Sequence, residues 1–314
     1  MSDILRFVKN LVRPAVYAIR SRQLRRQLRR KLQANLASAN SGYEFTDADI
    51  GLYVSEQFAR LPACVTEGTE SPELVTVNVN EKKIFWPASL SDRDLPWLYH
   101  EIFDDFTNNP SSYDHPELGY ENREWIIDAG AAEGYFSIFA LEKSPGLLFC
   151  LEPLPIMKMA LEKTLDSYSN EKRAKVISAA LSDIPGWADI QVDDEHICDS
   201  KLISNTSAMP SAQSDTKIQR VPITTLDQLG IEQSLGKGGL IKMDIEGYEM
   251  AALSGAVNLM KNHKPALAVA VYHDLENAKK CAEIIKAANP AYKIEFRGCY
   301  GYFEPPRPYM VFAY

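Results

Sequence analysis

Beyond Asn122 the chain alternates short apolar runs with stretches of helical periodicity, and few architectures accept that pattern. Strands are expected at WIIDA, LLFCLE, KVISAAL, ADIQV, QRVPI, GLIKMD, ALAVAVY, KIEFRG and YMVFAY, with helices between most of them. Runs this apolar must be covered on both faces, which implies an α/β fold built on a doubly wound, mainly parallel sheet. Such a sheet binds ligands at the carboxyl ends of its strands, near the point where strand order reverses. Functional residues are therefore expected just after the strands.

WIIDAGAAEGYFSIFA, residues 125–140, lies at such a place: a strand, a glycine-bearing turn and the start of a helix. A dinucleotide turn reads G-x-G-x-x-G, with pyrophosphate over the helix N-terminus. Here Asp128 stands where the first glycine would be, and the spacing is D-x-G-x-x-x-G through Gly130 and Gly134. A carboxylate repels pyrophosphate but suits a ligand carrying an ammonium or sulfonium, as S-adenosylmethionine does. Glu152 closes LLFCLE, where an acid can accept both ribose hydroxyl hydrogens. Taken alone, the motif also reads as an ordinary tight turn with an Asp helix cap; the acid ending the next strand weighs against that reading.

A third stretch, GLIKMDIEGYEMAALSGA from Gly239 to Ala256, repeats the pattern with Asp244, Glu246 and Gly247 after an apolar strand. Together with DAGAAEGYFS, LEP, AALSD (179–183) and VPITTLDQL (221–229), it resembles the FkbM-type family of S-adenosylmethionine-dependent methyltransferases, over residues 121–314. The resemblance implies a Rossmann-like class I methyltransferase sheet of seven strands with a C-terminal antiparallel strand. It also implies O-methylation of a small molecule, sugar or glycan. Carried onto these motifs, the cofactor-binding set is Asp128, Gly130, Ala131, Gly134, Tyr135, Ser137, Glu152, Pro153, Leu181, Ser182 and Asp244. Two features depart from the family: VYHD stands where many members carry an acid before the histidine, and the N-terminal basic segment is not shared.

Methyl transfer is an in-line displacement, so a site must align nucleophile and methyl carbon and exclude water. A hydroxyl acceptor must also lose its proton. His273 follows ALAVAVY at the ligand edge, and an imidazole has suitable basicity near neutral pH, which makes it the expected general base. The plainer reading is a histidine that caps a strand end or bonds Asp274. Asp244 and Glu246 would orient substrate or cofactor, or share a divalent cation with His273; the ligand set is incomplete and the metal is left unknown. DDEHICD (193–199) reads as solvated loop, and His100, His115 and His263 as structural or surface residues.

Residues 1–40 hold ten Lys and Arg against one Asp, leaving a body with 24 basic and 41 acidic residues. Ile4, Val8, Leu11, Ala15, Ile19, Leu24, Leu28 and Leu32 fall at helical spacing, and Pro14 should kink or divide the helix. The chain divides into a basic amphipathic extension (1–40), a lead-in or cap (41–120) and a methyltransferase domain (121–314). In the lead-in, VTVNV and KKIFWP read as strands, DLPWLYHEIF as a helix opening after Ser91 or Asp92, and NNPSSYDHPELGY as a loop. The basic helix, residues 1–33, would lie on an anionic membrane surface, dock on its own acidic body or serve as a dimer arm; nucleic acid is disfavoured by that body's charge. Nothing in the sequence sets the oligomeric state. Five scattered cysteines without a C-x-x-C pair fit a reducing cytoplasm, with peripheral membrane association through the helix. An NAD-dependent oxidoreductase or epimerase is argued against by Asp128. A non-catalytic scaffold on the same fold is argued against by the intact DAGAAEG and Glu152.

Overall fold

Every apolar run after Asn122 contains a strand, but the strands divide between two sheets. The computed structural model describes residues 2–38, 42–69, 71–168, 173–192, 201–203 and 217–314. In chain order the first half contains α1 (Ser2–Ser38), α2 (Asp47–Glu56), β1 (Cys64–Thr69), β2 (Leu74–Val79), β3 (Lys82–Pro87), α3 (Leu95–Phe103), β4 (Trp125–Ala129), α4 (Tyr135–Lys143), β5 (Leu147–Leu151) and α5 (Pro155–Tyr168). Then come β6 (Ala174–Ile177), β7 (Ala180–Leu181), β8 (Gly186–Val192), β9 (Lys201–Ile203), β10 (Lys217–Thr224), α6 (Leu226–Glu232), β11 (Gly239–Met243), α7 (Glu249–Ser254), α8 (Val257–His263), β12 (Ala266–Ala270), α9 (Asn277–Ala288), β13 (Ile294–Tyr300) and β14 (Arg307–Ala313).

The main sheet has seven strands in the order β13-β14-β12-β11-β4-β5-β6. Six run parallel, and β14 is inserted antiparallel between β12 and β13. Side chains alternate between two cores: Ile126, Leu148 and Leu240 enter one, while Ile127, Phe149 and Ile241 enter the other. That two-sided burial is why these strands read as unbroken apolar runs. Strand order reverses at β4, which pairs with β5 on one side and β11 on the other. The crevice beyond Ala129 and Met243 is thus the ligand position this fold provides.

Three sequence expectations are corrected here. KVISAAL divides after β6, and its last residues, with ADIQV and QRVPI, form a separate sheet of order β7-β10-β8-β9. Alternation of apolar residues alone does not say which sheet a strand joins. The DLPWLYHEIF helix starts at Leu95 rather than after Ser91 or Asp92, because Pro96 favours the first turn of a helix and Asp94 gives no side-chain cap. Pro14 does not divide α1, whose length lets it continue past one lost hydrogen bond. The DDEHICD stretch lies outside the described residues.

The lead-in packs against the domain built on the main sheet. β1, β2 and β3 form an antiparallel sheet whose Val77, Val79 and Ile84 share a cluster with Tyr135, Phe136 and Leu148. The NNPSSYDHPELGY loop, polar by composition, is largely buried: Asn109, Ser111, Ser112, Tyr113 and His115 are all inside. In α1, Leu32 is buried with Ile50, Tyr53, Val54 and Cys299, Arg29 donates to the Asp47 carbonyl at 2.9 Å, and the Arg25 guanidinium lies 4.8 Å over the Phe58 ring. The second half of the helix therefore docks on the body. Among the described residues no helix is long and apolar enough to cross a membrane, and Cys64, Cys150, Cys281 and Cys299 are free thiols.

Candidate active site

The turn after β4 is forced open by close approach. Gly130 has φ +76°, and a Cβ there would lie 1.9 Å from the Asp244 carbonyl oxygen, so only glycine fits. The Ala131 N–H donates to the Leu151 carbonyl at 3.1 Å and the Asp244 N–H to the Ala129 carbonyl at 3.1 Å, which ties the ends of β4, β5 and β11 together. Around this turn lies a cavity of about 280 Å³, walled by residues that include Gly130, Ala131, Glu133, Glu152, Pro153, Leu181, Asp244 and Glu246.

Asp128 takes a different position from the one expected. Its carboxylate is fully buried below the cavity, paired with Lys242 Nζ at 3.0 Å and accepting from Ser137 Oγ at 2.6 Å. Lys242 Nζ also donates to the Gly130 carbonyl at 2.7 Å. Burial alone would lower the Lys242 pKa, but the charges of Asp128 and Asp244 hold it above the ordinary value. Asp128 thus acts on the turn through Lys242 rather than on a ligand directly. The turn's acid that does face the cavity is Glu133, whose pKa burial raises to about 7.

Glu152 stands where the sequence expects it. Its Oε2 accepts from the Ala132 N–H at 3.1 Å and its Oε1 from the Leu154 N–H at 2.8 Å, leaving further lone pairs toward the cavity. Burial raises its pKa to about 7 against the lowering effect of those two bonds. Gly134, Tyr135, Ser137 and Ser182 are not in the cavity wall. Tyr135 and Ser137 are fully buried behind the turn, Tyr135 edge-on to Tyr99 and Phe103. Gly134 backs onto Leu161, and the Ser182 N–H joins the small sheet through the Thr224 carbonyl.

On the far side of the turn, His273 is gripped by three carboxylates. Its Nε2 lies 3.3 Å from Glu246 Oε2 and 3.6 Å from Asp244 Oδ1, and its Nδ1 lies 3.3 Å from Glu249 Oε1. Burial would lower its pKa, but Glu246, Glu249 and Asp244 together raise it to about 11. Held this way the imidazole favours its protonated form at neutral pH, which argues against its serving as a general base. Asp244 also accepts from Tyr113 Oη at 3.0 Å, and burial raises its pKa above the ordinary value. Glu246 sits at φ +56°, a left-handed conformation uncommon outside glycine, and borders the cavity.

Asp244, Glu249 and His273 offer ligand atoms within 4.8 Å of one another. Glu249, however, already receives the N–H groups of Ile245 and Gly247 at 3.1 Å each and Asn277 Nδ2 at 3.2 Å. Those bonds make it an anchor for the turn after β11, with little capacity left for a cation. His100 and His115 are structural, paired with Asp104 at 2.6 Å and Glu295 at 3.4 Å.

Lys242, Glu133, Tyr113 and Glu249 carry only weak signs in the sequence, as does Glu101 of α3, which also borders the cavity. A lone lysine in the apolar run GLIKM was the available sign for the first; Glu133 lay inside the quoted turn. Tyr113 comes from a loop whose composition reads as solvent-exposed.

A family model described as the methyltransferase FkbM domain matches residues 128–290, more than half of the chain. The chain belongs to the FkbM methyltransferase family. The donor in this S-adenosylmethionine-dependent family is S-adenosylmethionine, and the seven-stranded sheet with its inserted antiparallel strand is the class I methyltransferase arrangement. Among solved structures, the methyltransferase FkbM of Methylobacillus flagellatus KT is similar at 20% identity and a TM-score of 0.47, covering 71% of this chain and 59% of that one. The precorrin-6y C5,15-methyltransferase of Geobacter metallireducens GS-15 is similar at 14% identity, TM-score 0.36, covering 63% and 83%. The Streptococcus mutans protein SMU.1697c, in complex with S-adenosylhomocysteine, is similar at 9% identity, TM-score 0.36, covering 63% and 93%. This FkbM-family chain thus spans less than two thirds of the M. flagellatus protein. No protein of curated function matches its sequence.

Proposed function

We propose that this chain transfers the methyl group of S-adenosylmethionine to a hydroxyl oxygen of a small molecule or saccharide. One observation carries the reading: the carboxylates of Glu133, Glu152, Asp244 and Glu246 border one cavity together with the Gly130 turn. When bound, S-adenosylmethionine supplies an electrophilic methyl group on a cationic sulfur. Glu152 would hold the ribose hydroxyls, and Glu133 is the acid available to the amino-acid end. Asp244, fixed by Tyr113 Oη, and Glu246 would hydrogen-bond the acceptor. Protonated His273 keeps both carboxylates oriented and partly neutralised, while Tyr113, Phe136 and Tyr272 give apolar walls that exclude water.

Calorimetry with S-adenosylmethionine and with NAD, followed by mass spectrometry of methyl glycosides, polyols and amines after incubation, tests the reading. Binding of NAD in place of S-adenosylmethionine, or methylation confined to amines, would overturn it. A second part of the proposal concerns α1. Arg20, Arg22, Arg26, Arg30 and Lys31 are exposed while Leu28 and Leu32 turn toward the body, and that cationic face supports peripheral binding to an anionic membrane.

A further inference from the structure

We propose that Glu101, carried by α3 from outside the family-matched segment, takes the proton from the acceptor hydroxyl. This rests on the hydroxyl-methyltransferase reading and adds its missing group. Glu101 borders the cavity with Asp244 and Tyr113. Its Oε1 accepts from Trp97 Nε1 at 3.0 Å; among the described residues its Oε2 has no hydrogen-bond partner and the carboxylate has no cation beside it. Three of the neighbouring acids are engaged: Glu246 by His273, Asp244 by Tyr113 and His273, Glu152 by the Ala132 and Leu154 N–H groups. Among the described residues the Glu101 Oε2 is thus uncommitted and borders the cavity.

The placement is rigid. Buried Asn109 donates through Nδ2 to the carbonyls of Glu101 at 2.7 Å and His100 at 3.1 Å, and its own carbonyl accepts from buried Arg297 at 2.7 Å. The same loop continues to Tyr113, so one buried segment sets both Glu101 and the hydroxyl that orients Asp244. Burial first, then the charge of Asp244, raises the Glu101 carboxyl to about 8, close to the range in which a base can be regenerated near neutral pH. In the step itself the acceptor oxygen bonds to the methyl carbon as the carbon–sulfur bond breaks. The bonding pair stays on sulfur, and the hydroxyl proton passes to Glu101 Oε2.

The test uses the full chain with Glu101→Gln and Glu101→Asp. Calorimetry with S-adenosylhomocysteine comes first; a wild-type chain that does not bind it sinks the methyltransferase reading, independently of Glu101. Methyl transfer from labelled S-adenosylmethionine is then followed to a panel of methyl glycosides and, as the background acceptor, to water. Glu101→Gln should bind S-adenosylhomocysteine within about twofold of wild type, lose roughly 10²–10⁴ in turnover, and lose the limb of the pH profile that rises through about 8. Glu101→Asp should retain part of both. Independently of turnover, carboxyl NMR should show one glutamate signal titrating near that value, absent in Glu101→Gln and shifted when a methyl glycoside joins the S-adenosylhomocysteine complex. A Gln variant that keeps its rate or its pH limb overturns the proposal, as does a signal indifferent to every glycoside. Loss of S-adenosylhomocysteine binding or of folding in both variants makes Glu101 structural and overturns it equally.

Discussion

Lys242 Nζ lies 3.0 Å from Asp128 Oδ1 and 2.7 Å from the Gly130 carbonyl, so one buried ammonium joins the carboxylate of β4 to the turn that β4 feeds. The pair is shielded from solvent on both sides, which makes removing one partner far more costly than removing both. Lys242→Met should destabilise the fold by about 3–5 kcal/mol by stranding Asp128, and Asp128→Asn added to it should recover much of that loss. Urea unfolding of the two variants decides. A single mutant as stable as wild type would show that the pair does not hold the turn.

Cofactor affinity should depend on pH through Glu152. Burial raises this carboxyl to about 7, and only its ionised form accepts from both ribose hydroxyls, so binding should tighten as pH rises from 6 to 8. Glu152→Gln should weaken S-adenosylmethionine at least tenfold at pH 8, as expected when bonds to a charged group worth about 1.5–3 kcal/mol each are lost. It should also flatten the pH dependence. Calorimetry at both pH values reads both effects.

Stability should fall as pH rises. Burial holds the carboxyls of Glu56, Glu133 and Glu152 at about 7 and Glu101 at about 8, so the folded chain keeps protons that the unfolded chain releases above about 4.5. That contribution is complete below 4.5 and lost through 7 to 8. His273 acts in the same sense: its carboxylates raise it to about 11, so its stabilisation is complete below about 6.5 and drains away toward 11. The urea midpoint of the ligand-free chain should therefore decline steadily from pH 5 to pH 9. A midpoint that rises across this interval would contradict the buried-acid picture.

These groups differ in how legible they were. Gly130, Glu152 and Asp244 sit at strand ends in local patterns, and the doubly wound sheet brings strand ends together whatever the rest of the chain does. Asp128 was visible but its direction was not, because a carboxylate at a strand end faces cavity or core according to pleat, and the core side held Lys242. Tyr113 meets Asp244 across 131 residues, and Glu101 comes from a helix whose local sign is only an opening after Ser91 or Asp92. The loop that carries Tyr113 is rich in Asn, Ser and Pro, which are usually exposed, whereas here Asn109 is buried to satisfy the end of α3. His273 was found, yet its protonation followed from Glu246 and Glu249, whose distances no spacing reveals.

The N-terminal helix needs a test that spares its docked half. Leu32 is buried with Ile50 and Tyr53, and Arg29 is tied to Asp47, so deleting residues 1–33 would remove body contacts as well as charge. Arg22, Arg26 and Arg30 are better targets: spaced four apart, they share one exposed face. Changing all three to Glu should abolish sedimentation with vesicles rich in anionic lipid, leave the melting temperature within a few degrees of wild type, and leave S-adenosylmethionine affinity unchanged. Wild-type sedimentation should weaken as salt rises from 50 to 500 mM, because the Debye length shrinks from about 14 Å to about 4 Å and exposed charges are screened over such distances. Equal sedimentation by the triple variant, or binding indifferent to salt, would leave α1 with its docking role alone.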